Sequence, residues 1–284
     1  MSEKVVEQQT FQLEDETLAT IRGEVRVASG VERKPVLLLV HGFKGFKDWG
    51  FFPYAAERLA YQGFAVVTFN LSHNGVREHD FDELEKFGRN TYSREQADLA
   101  HVVAAVRAER LPLGDRMDTR QLFLVGHSRG GGNCVLFAAD HPEIGGVVTW
   151  NGVGRADLFG EDFREQVMRE GVGYVANART KQQMPIEAVF FEDLDRNRER
   201  FDIPARAAEL QTPVLFIQGM KDAERLLDGF RTLRQQAPHH RFAELADADH
   251  TFGVKHPFAA PTDDLDRAIA ITAAFFAPLM AKDS

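Results

Sequence analysis

A serine flanked by glycines is the residue of this sequence best placed to act as a nucleophile. Residues 122–133 read LFLVGHSRGGGN, so Ser128 follows a short apolar run and precedes a stretch compatible with a helix. Such a sharp turn from a buried strand into a helix predicts strained backbone geometry and an exposed Oγ at a helix N-terminus, where the helix dipole favours a developing anion. The phosphate-loop patterns GxxxxGK[ST] and GxGxxG do not occur in the sequence. We therefore interpret Ser128 as a nucleophile and not as part of a nucleotide-binding loop.

A serine hydroxyl reacts at neutral pH only when a base lies within hydrogen-bond distance. His250 is the leading candidate because it lies in DADHTF, between a predicted last strand (241–246) and a terminal helix. His256, His239 and His240 are alternatives, but the last two are expected to form a solvated pair at a helix end. His250 is accordingly predicted to be the general base.

The base in turn needs a carboxylate that orients it. Asp222 follows the apolar run PVLFIQ through the short loop GMKD, and is therefore expected at the same sheet edge as Ser128. Asp247 and Asp249 lie close to His250 along the chain, but neighbours on one loop rarely point at their own histidine. The predicted order is Ser128, Asp222, His250.

Short apolar runs alternate with helical patterns along the chain, and this rhythm positions the candidate residues. Near-continuous apolar runs are typical of strands buried on both faces, and they occur at 36–40, 64–70, 122–125, 146–150 and 213–218. Helical patterns are found at 52–62, 93–110, 131–140, 223–236 and 263–280. Residues 9–28 alternate apolar and polar, which predicts an antiparallel hairpin at a sheet edge. The fold class is therefore α/β, with a mostly parallel sheet covered on both faces by helices.

One interval, residues 151–207, interrupts this alternation and is too long for an ordinary loop. We predict that it forms a small cap on a core made of residues 1–150 and 208–284, with a hairpin and then a helix from residue 172 onward. A long disordered loop is the alternative. Aromatic residues of this interval are candidates for substrate contact: Phe159, Phe163, Tyr174, Phe190 and Phe191.

Composition limits the possible partners. The 284 residues carry a net charge of −9, which argues against nucleic acid as a ligand. The N-terminal segment lacks the apolar core of a signal peptide, and the run at 36–40 is too short to span a membrane. One cysteine, Cys134, precludes a disulfide within the chain. We expect a cytoplasmic protein without metal or cofactor, as a monomer or homodimer acting on a small molecule.

Four motifs give the sequence a family resemblance. HGF at 41–43, GHSRGG, GMKD and DADHTF occur in the order found in α/β-hydrolases, and the chain resembles bacterial carboxylesterases of the feruloyl-esterase and dienelactone-hydrolase-like group. The resemblance implies an eight-stranded sheet, a cap inserted after the sixth strand and hydrolysis of carboxylic esters. It also implies that the backbone N–H groups of Phe43 and Arg129 form the oxyanion hole.

Several alternatives stay open from the sequence. The same triad serves peptidases, aminopeptidases and thioesterases, and a non-catalytic ligand receptor is also conceivable on this fold. An aminopeptidase would need a cap carboxylate such as Glu187, Glu192 or Asp193.

Two interpretations are open for each of three basic residues. Lys44 and Lys47 are either solvated or steer an anionic substrate. The Arg129 side chain either forms a structural ion pair or raises the positive potential at the oxyanion site.

Overall fold

The computed structural model describes residues 5–14 and 19–280, and its centre is an eight-stranded sheet. The strand order is β1-β2-β4-β3-β5-β6-β9-β10. β2 runs antiparallel to both of its neighbours, whereas the pairings from β4 to β10 are parallel. The predicted parallel sheet and the antiparallel hairpin at its edge are therefore confirmed.

The strands of this sheet are β1 (Val6–Glu14), β2 (Thr20–Ala28), β3 (Lys34–Val40), β4 (Ala65–Asn70), β5 (Met117–His127), β6 (Ile144–Trp150), β9 (Val214–Gly219) and β10 (Arg241–Leu245). The central strands are buried on both faces, as their apolar runs predict. On β3, Leu38 and Val40 face one core and Leu37 and Leu39 face the other. Period-two alternation thus divides the interior into two apolar layers.

Helices cover both faces of the sheet. They are α1 (Phe52–Tyr61), α2 (Leu84–Gly88), α3 (Tyr92–Arg107), α4 (Arg129–Asp140), α5 (Glu161–Glu170), α6 (Ala188–Arg196), α7 (Ile203–Glu209), α8 (Glu224–Gln236) and α9 (Asp263–Phe276). Apolar residues of α1 and α9 join one core, and those of α3, α4 and α8 join the other. Two-sided coverage follows from parallel strands connected by helices.

The interval after β6 contains its own small sheet. β7 (Val172–Ala176) pairs antiparallel with β8 (Gln183–Glu187), and α6 follows directly. The predicted cap boundary at residue 207 falls inside α7, which packs against α4 and α8 of the core. Helix α7 therefore lies with the core, although most of it belongs to the predicted cap interval.

The last helix is shorter than predicted. The last helix ends at Phe276 and not at residue 280, because Pro278 has no N–H to continue the helical hydrogen bonds. Residues 15–18 of the hairpin predicted over 9–28 lie outside the described residues. Across 5–14 and 19–280, no helix is long and apolar enough to cross a membrane.

Candidate active site

Ser128 occupies a strained turn at the C-terminal edge of the sheet, between β5 and α4. Its φ is 55° and its ψ is −122°, a backbone conformation that residues other than glycine rarely adopt. The turn is tight: a Cβ added to Gly126 would collide with the backbone of Gly130, and one on Gly130 would lie 2.5 Å from the carbonyl oxygen of His41. Gly126 is therefore required for β5 and α4 to pack this closely, and Gly130 for α4 to pack against the end of β3.

The structure brings the three predicted triad residues into one hydrogen-bonded chain. His250 Nε2 lies 3.0 Å from Ser128 Oγ, and His250 Nδ1 lies 2.8 Å from Asp222 Oδ2. A tautomer protonated at Nδ1 satisfies both contacts, since Nδ1–H donates to Asp222 and Nε2 accepts from the serine hydroxyl. The arrangement has the geometry needed to remove the serine proton.

Asp222 is held in its charged form. Its side chain is 1% exposed, and burial raises the pKa of the carboxyl group. The hydrogen bond and charge of His250, together with hydrogen bonds from the Ala223 N–H and Gln218 Nε2, outweigh this effect, so the pKa of Asp222 lies below its usual value. Asp222 is thus an ionised partner for the imidazole.

The loop of His250 is fixed by Asn151, a residue that the sequence analysis missed. Asn151 Nδ2 donates to the backbone oxygens of Asp249 (3.2 Å) and His250 (2.9 Å), and its Oδ1 accepts from the Gly219 N–H at 2.6 Å. Asn151 is fully buried and has a φ of 49°, a conformation that asparagine tolerates better than most residues. One side chain therefore ties the end of β6 to the end of β9 and to the base loop.

The other histidines have structural partners. His127 Nε2 lies 2.8 Å from the His250 carbonyl oxygen, and His41 Nε2 accepts from the Leu71 N–H at 3.1 Å. His256 Nδ1 accepts from the Gly50 N–H, so it is not the base. The expectation of a solvated pair at His239 and His240 is wrong for His240. His240 is buried, and its Nε2 lies within hydrogen-bond distance of the Ala207 carbonyl oxygen near the end of α7. His239 is exposed.

The predicted oxyanion donors lie on two turns that meet at Ser128. A Cβ added to Gly42 would lie 3.0 Å from Ser128 Cβ and 3.1 Å from Arg129 N, so the turn that carries Phe43 passes directly over the nucleophile. Within the described residues, neither the Phe43 N–H nor the Arg129 N–H donates to a protein acceptor. Two free donors beside a nucleophile could bind a developing oxyanion.

A cavity of about 300 Å³ opens at Ser128 and His250. Its apolar walls include Phe43, Trp49 and Phe52, and the turn between β7 and β8 closes it with Asn177, Ala178 and Arg179. The hairpin turn is anchored to the core, since Lys44 Nζ donates to the Ala176 carbonyl oxygen at 2.8 Å.

None of the five aromatic residues predicted to contact substrate lines this cavity. Phe190 and Phe191 are buried, and they pack with Phe159 and Phe163 into an aromatic cluster under the hairpin. Tyr174 is 57% exposed on β7. The aromatic residues of the interval after β6 therefore build its own core and do not bring their rings to Ser128.

The two lysines near the Phe43 turn differ in their surroundings. Lys47 Nζ lies 2.7 Å from Asp48 and 3.7 Å from Glu24, so its charge is paired and it is absent from the cavity lining. Lys44 lines the cavity, its contact is a backbone carbonyl, and burial lowers the pKa of its amine. Lys44 is the one of the two that could act on a bound anion.

The Arg129 side chain forms the ion pair that one of its two interpretations predicts. Its Nε lies 3.2 Å from Glu95 Oε2, and both side chains are at most 7% exposed. Its guanidinium stacks over the rings of Tyr92 at 4.4 Å and Phe190 at 4.9 Å. Arg129 thus connects the helix after the nucleophile to α3 and to α6.

We predict strong energetic coupling between Arg129 and Glu95. Arg129→Gln and Glu95→Gln should each lower the free energy of unfolding by about 3–5 kcal/mol, because each leaves one buried charge unpaired. The double variant Arg129→Gln/Glu95→Gln should lose clearly less unfolding free energy than the two single variants lose together. Urea unfolding followed by circular dichroism measures these free energies. Additive losses would contradict a direct pair.

We also predict that His127 destabilises the fold as the pH falls. Burial lowers the pKa of His127 to about 3, from an ordinary value near 6.5. Only the unfolded chain then takes up a proton between pH 6.5 and 4, so stability is lost over that range with a slope of up to about 1.4 kcal/mol per pH unit from this residue. His127→Gln keeps a donor for the His250 carbonyl oxygen, and its unfolding free energy should vary less with pH. Equal slopes for the two proteins, or an NMR titration of His127 near pH 6.5, would refute the assignment.

Comparisons with known proteins agree with this architecture. A family model for the alpha/beta hydrolase fold matches residues 35–171. A search of curated proteins found no significant match to the sequence.

Solved structures resemble nearly the whole chain. The esterase domain of a Rhodothermus marinus protein is 17% identical with a TM-score of 0.64, and the likeness covers 95% of this chain and 98% of that one. Est1E from Butyrivibrio proteoclasticus is 14% identical with a TM-score of 0.67, covering 96% and 99%. Dienelactone hydrolase from Anabaena variabilis is 14% identical with a TM-score of 0.61, covering 95% and 97%. The sheet order, the family match and these likenesses together identify the chain as having the α/β-hydrolase fold.

Proposed function

We propose that this protein is a serine carboxylesterase that hydrolyses small to medium esters through an acyl-enzyme on Ser128. The observation that carries the proposal is the continuous chain from Asp222 through His250 to Ser128, with separations of 2.8 and 3.0 Å. It supports the proposal because a serine with an oriented base and two unused N–H donors is equipped for acyl transfer.

In the proposed reaction, Ser128 Oγ attacks the ester carbonyl carbon while His250 Nε2 takes up the hydroxyl proton. The tetrahedral intermediate places its negative oxygen against the N–H groups of Phe43 and Arg129. His250 then gives the proton to the leaving alcohol, and the same nitrogen activates the water that hydrolyses the acyl-enzyme. Asp222 stays ionised and stabilises the imidazolium that forms in each half.

The substrate size in the proposal comes from the cavity. A volume of about 300 Å³ is at the lower end of ligand pockets, and Phe43, Trp49 and Phe52 provide apolar contact. We further propose that most of the interval 151–207 acts as a lid, since the β7–β8 turn covers this cavity and is held by Lys44 and by an ion pair between Arg179 and Asp80.

The alternative activities receive less support. Aminopeptidase activity requires a free carboxylate near the nucleophile, but Asp193 accepts hydrogen bonds from the N–H and hydroxyl of Ser93. Glu187 and Glu192 face Arg89 and Arg196, and neither lines the cavity at Ser128. No contact in the described residues favours a thioester or amide over an ester.

The proposal predicts that Ser128→Ala lowers kcat for p-nitrophenyl acetate by at least about 10³-fold. Asp222→Asn should lower kcat by about 10⁴-fold, because the imidazole of His250 then adopts the wrong tautomer. Ser29→Ala, at the far end of β2, is the matched control and should keep full activity. A fluorophosphonate probe should label the wild-type protein at Ser128, as peptide mass spectrometry would show. Full activity of Ser128→Ala would refute the mechanism.

A second prediction concerns the charge of Lys44. Lys44→Gln should lower kcat/KM for an anionic ester such as p-nitrophenyl hemisuccinate by about fivefold relative to p-nitrophenyl acetate, since the charge of a partly exposed lysine contributes up to about 1 kcal/mol. The wild-type preference should weaken as salt increases. Lys47→Gln is the control, because Asp48 and Glu24 already neutralise that charge. An unchanged ratio of the two substrates in Lys44→Gln would exclude steering by this residue.

A further inference from the structure

A second cavity lies at the seam between the interval after β6 and helix α8. Its volume is about 580 Å³, nearly twice that of the cavity at Ser128, and it shares no lining residue with it. This volume is in the range of small-molecule pockets. Its apolar lining residues are Leu158, Phe159, Leu194, Phe201, Ile203 and Pro204.

The lining also carries charged side chains, and part of that charge is internally balanced. Arg164 pairs with Asp157 at 3.1 Å and with Asp195 at 2.5 Å, and Arg198 lies 3.4 Å from Asp195. These two arginines and two aspartates form a neutral cluster that shapes the wall. They leave no charge free for a ligand.

Two further arginines of the lining, Arg155 and Arg225, have no carboxylate partner among the residues that the structure describes. Of the nearby acids, Asp228 and Glu224 share the charge of Arg231, whereas Asp202 accepts from the Ala205 N–H at the start of α7 and keeps its negative charge. The lining therefore has two exposed guanidinium groups that no carboxylate of the described residues contacts, together with the one unpaired carboxylate of Asp202 and several apolar side chains.

The position of Arg225 is unfavourable for the helix that carries it. α8 begins at Glu224, so Arg225 lies in the first turn, where the helix dipole already contributes positive potential. A cation there does not stabilise the helix, but it adds to the field that an anion would experience at this place. The charge of Arg155, the charge of Arg225 and the end of α8 act in the same direction.

We propose that this cavity is a binding site for an amphipathic anion, a molecule with a carboxylate or phosphate monoester at one end and an apolar chain or ring at the other. The anionic group would lie at Arg155 and Arg225, and the apolar part against Phe159, Phe201 and Ile203. Planar guanidinium groups suit both anions, since each can donate two parallel hydrogen bonds. The site does not depend on the reaction proposed for Ser128.

The cavity nevertheless touches the catalytic region through one residue. Phe159 lines the second cavity and packs edge-to-face against Phe43, with ring centroids 5.9 Å apart. Phe43 lines the cavity at Ser128. A ligand at this site is therefore either a separate molecule or the remote end of an ester whose acyl carbon lies at Ser128.

Calorimetric titration with octanoate, octyl phosphate and 1-octanol tests the site. The two anions should bind with one-to-one stoichiometry. Arg155→Ala/Arg225→Ala should raise the Kd of both anions at least about tenfold and should not change any heat signal with the neutral alcohol. Arg155→Lys/Arg225→Lys should retain part of the affinity. The control Arg58→Ala/Arg110→Ala removes the same charge from exposed positions outside both cavities and should bind as the wild type does. Absence of saturable anion binding, or an equal Kd in Arg155→Ala/Arg225→Ala and wild type, would overturn the proposal.

Inhibition of p-nitrophenyl acetate hydrolysis by octanoate distinguishes a separate ligand from the remote end of a substrate. Non-competitive behaviour indicates a separate ligand, and competitive behaviour that requires Arg155 and Arg225 indicates the remote end of a substrate. If the protein hydrolyses no ester, the calorimetric comparison of the arginine variants still decides whether the site exists.

Discussion

The left-handed backbone of Ser128 is the constraint on which the site depends. A non-glycine residue with a φ of 55° costs about 1–3 kcal/mol, and the surrounding structure must supply this free energy. It does so through contacts on both sides of the turn: the Ser128 N–H donates to Trp150, and the Ser128 carbonyl oxygen accepts from Val153. The turn that carries Ser128 is thereby fixed to the end of β6 and to the segment after it.

That segment also determines where the base lies. Asn151 stands between Trp150 and Val153, so the chain that holds the serine backbone also holds the loop of His250 through two donated hydrogen bonds. His127, the residue before the serine, reaches the His250 carbonyl oxygen from the other side. The distance between nucleophile and base is therefore set by backbone contacts of their neighbours, and the hydrogen bond between Ser128 and His250 need not hold the two together.

The sequence predicted the parts of this site that follow from chain order. Parallel strands end at one edge of the sheet, so short loops after β5, β9 and β10 could be expected to bring Ser128, Asp222 and His250 together, and the geometry agrees. Asn151 had no such signal, because a single asparagine after a strand becomes informative only when its three partners are known. The burial of His240 likewise depends on a carbonyl oxygen of α7, more than thirty residues away. Strand order and side-chain burial arise from long-range packing that local patterns do not encode.

The aromatic residues after β6 show why aromatic composition alone does not locate a pocket. Large rings gain most when they pack against one another, and Phe159, Phe163, Phe190 and Phe191 do so in edge-to-face and tilted contacts. Once these rings form the core of a small unit, the surface that faces Ser128 is left to the hairpin turn at Asn177, Ala178 and Arg179. The lining around Ser128 is then formed mainly by this turn and by the Phe43 turn. Phe159 of this cluster lines the larger cavity and packs against Phe43, which lines the cavity at Ser128.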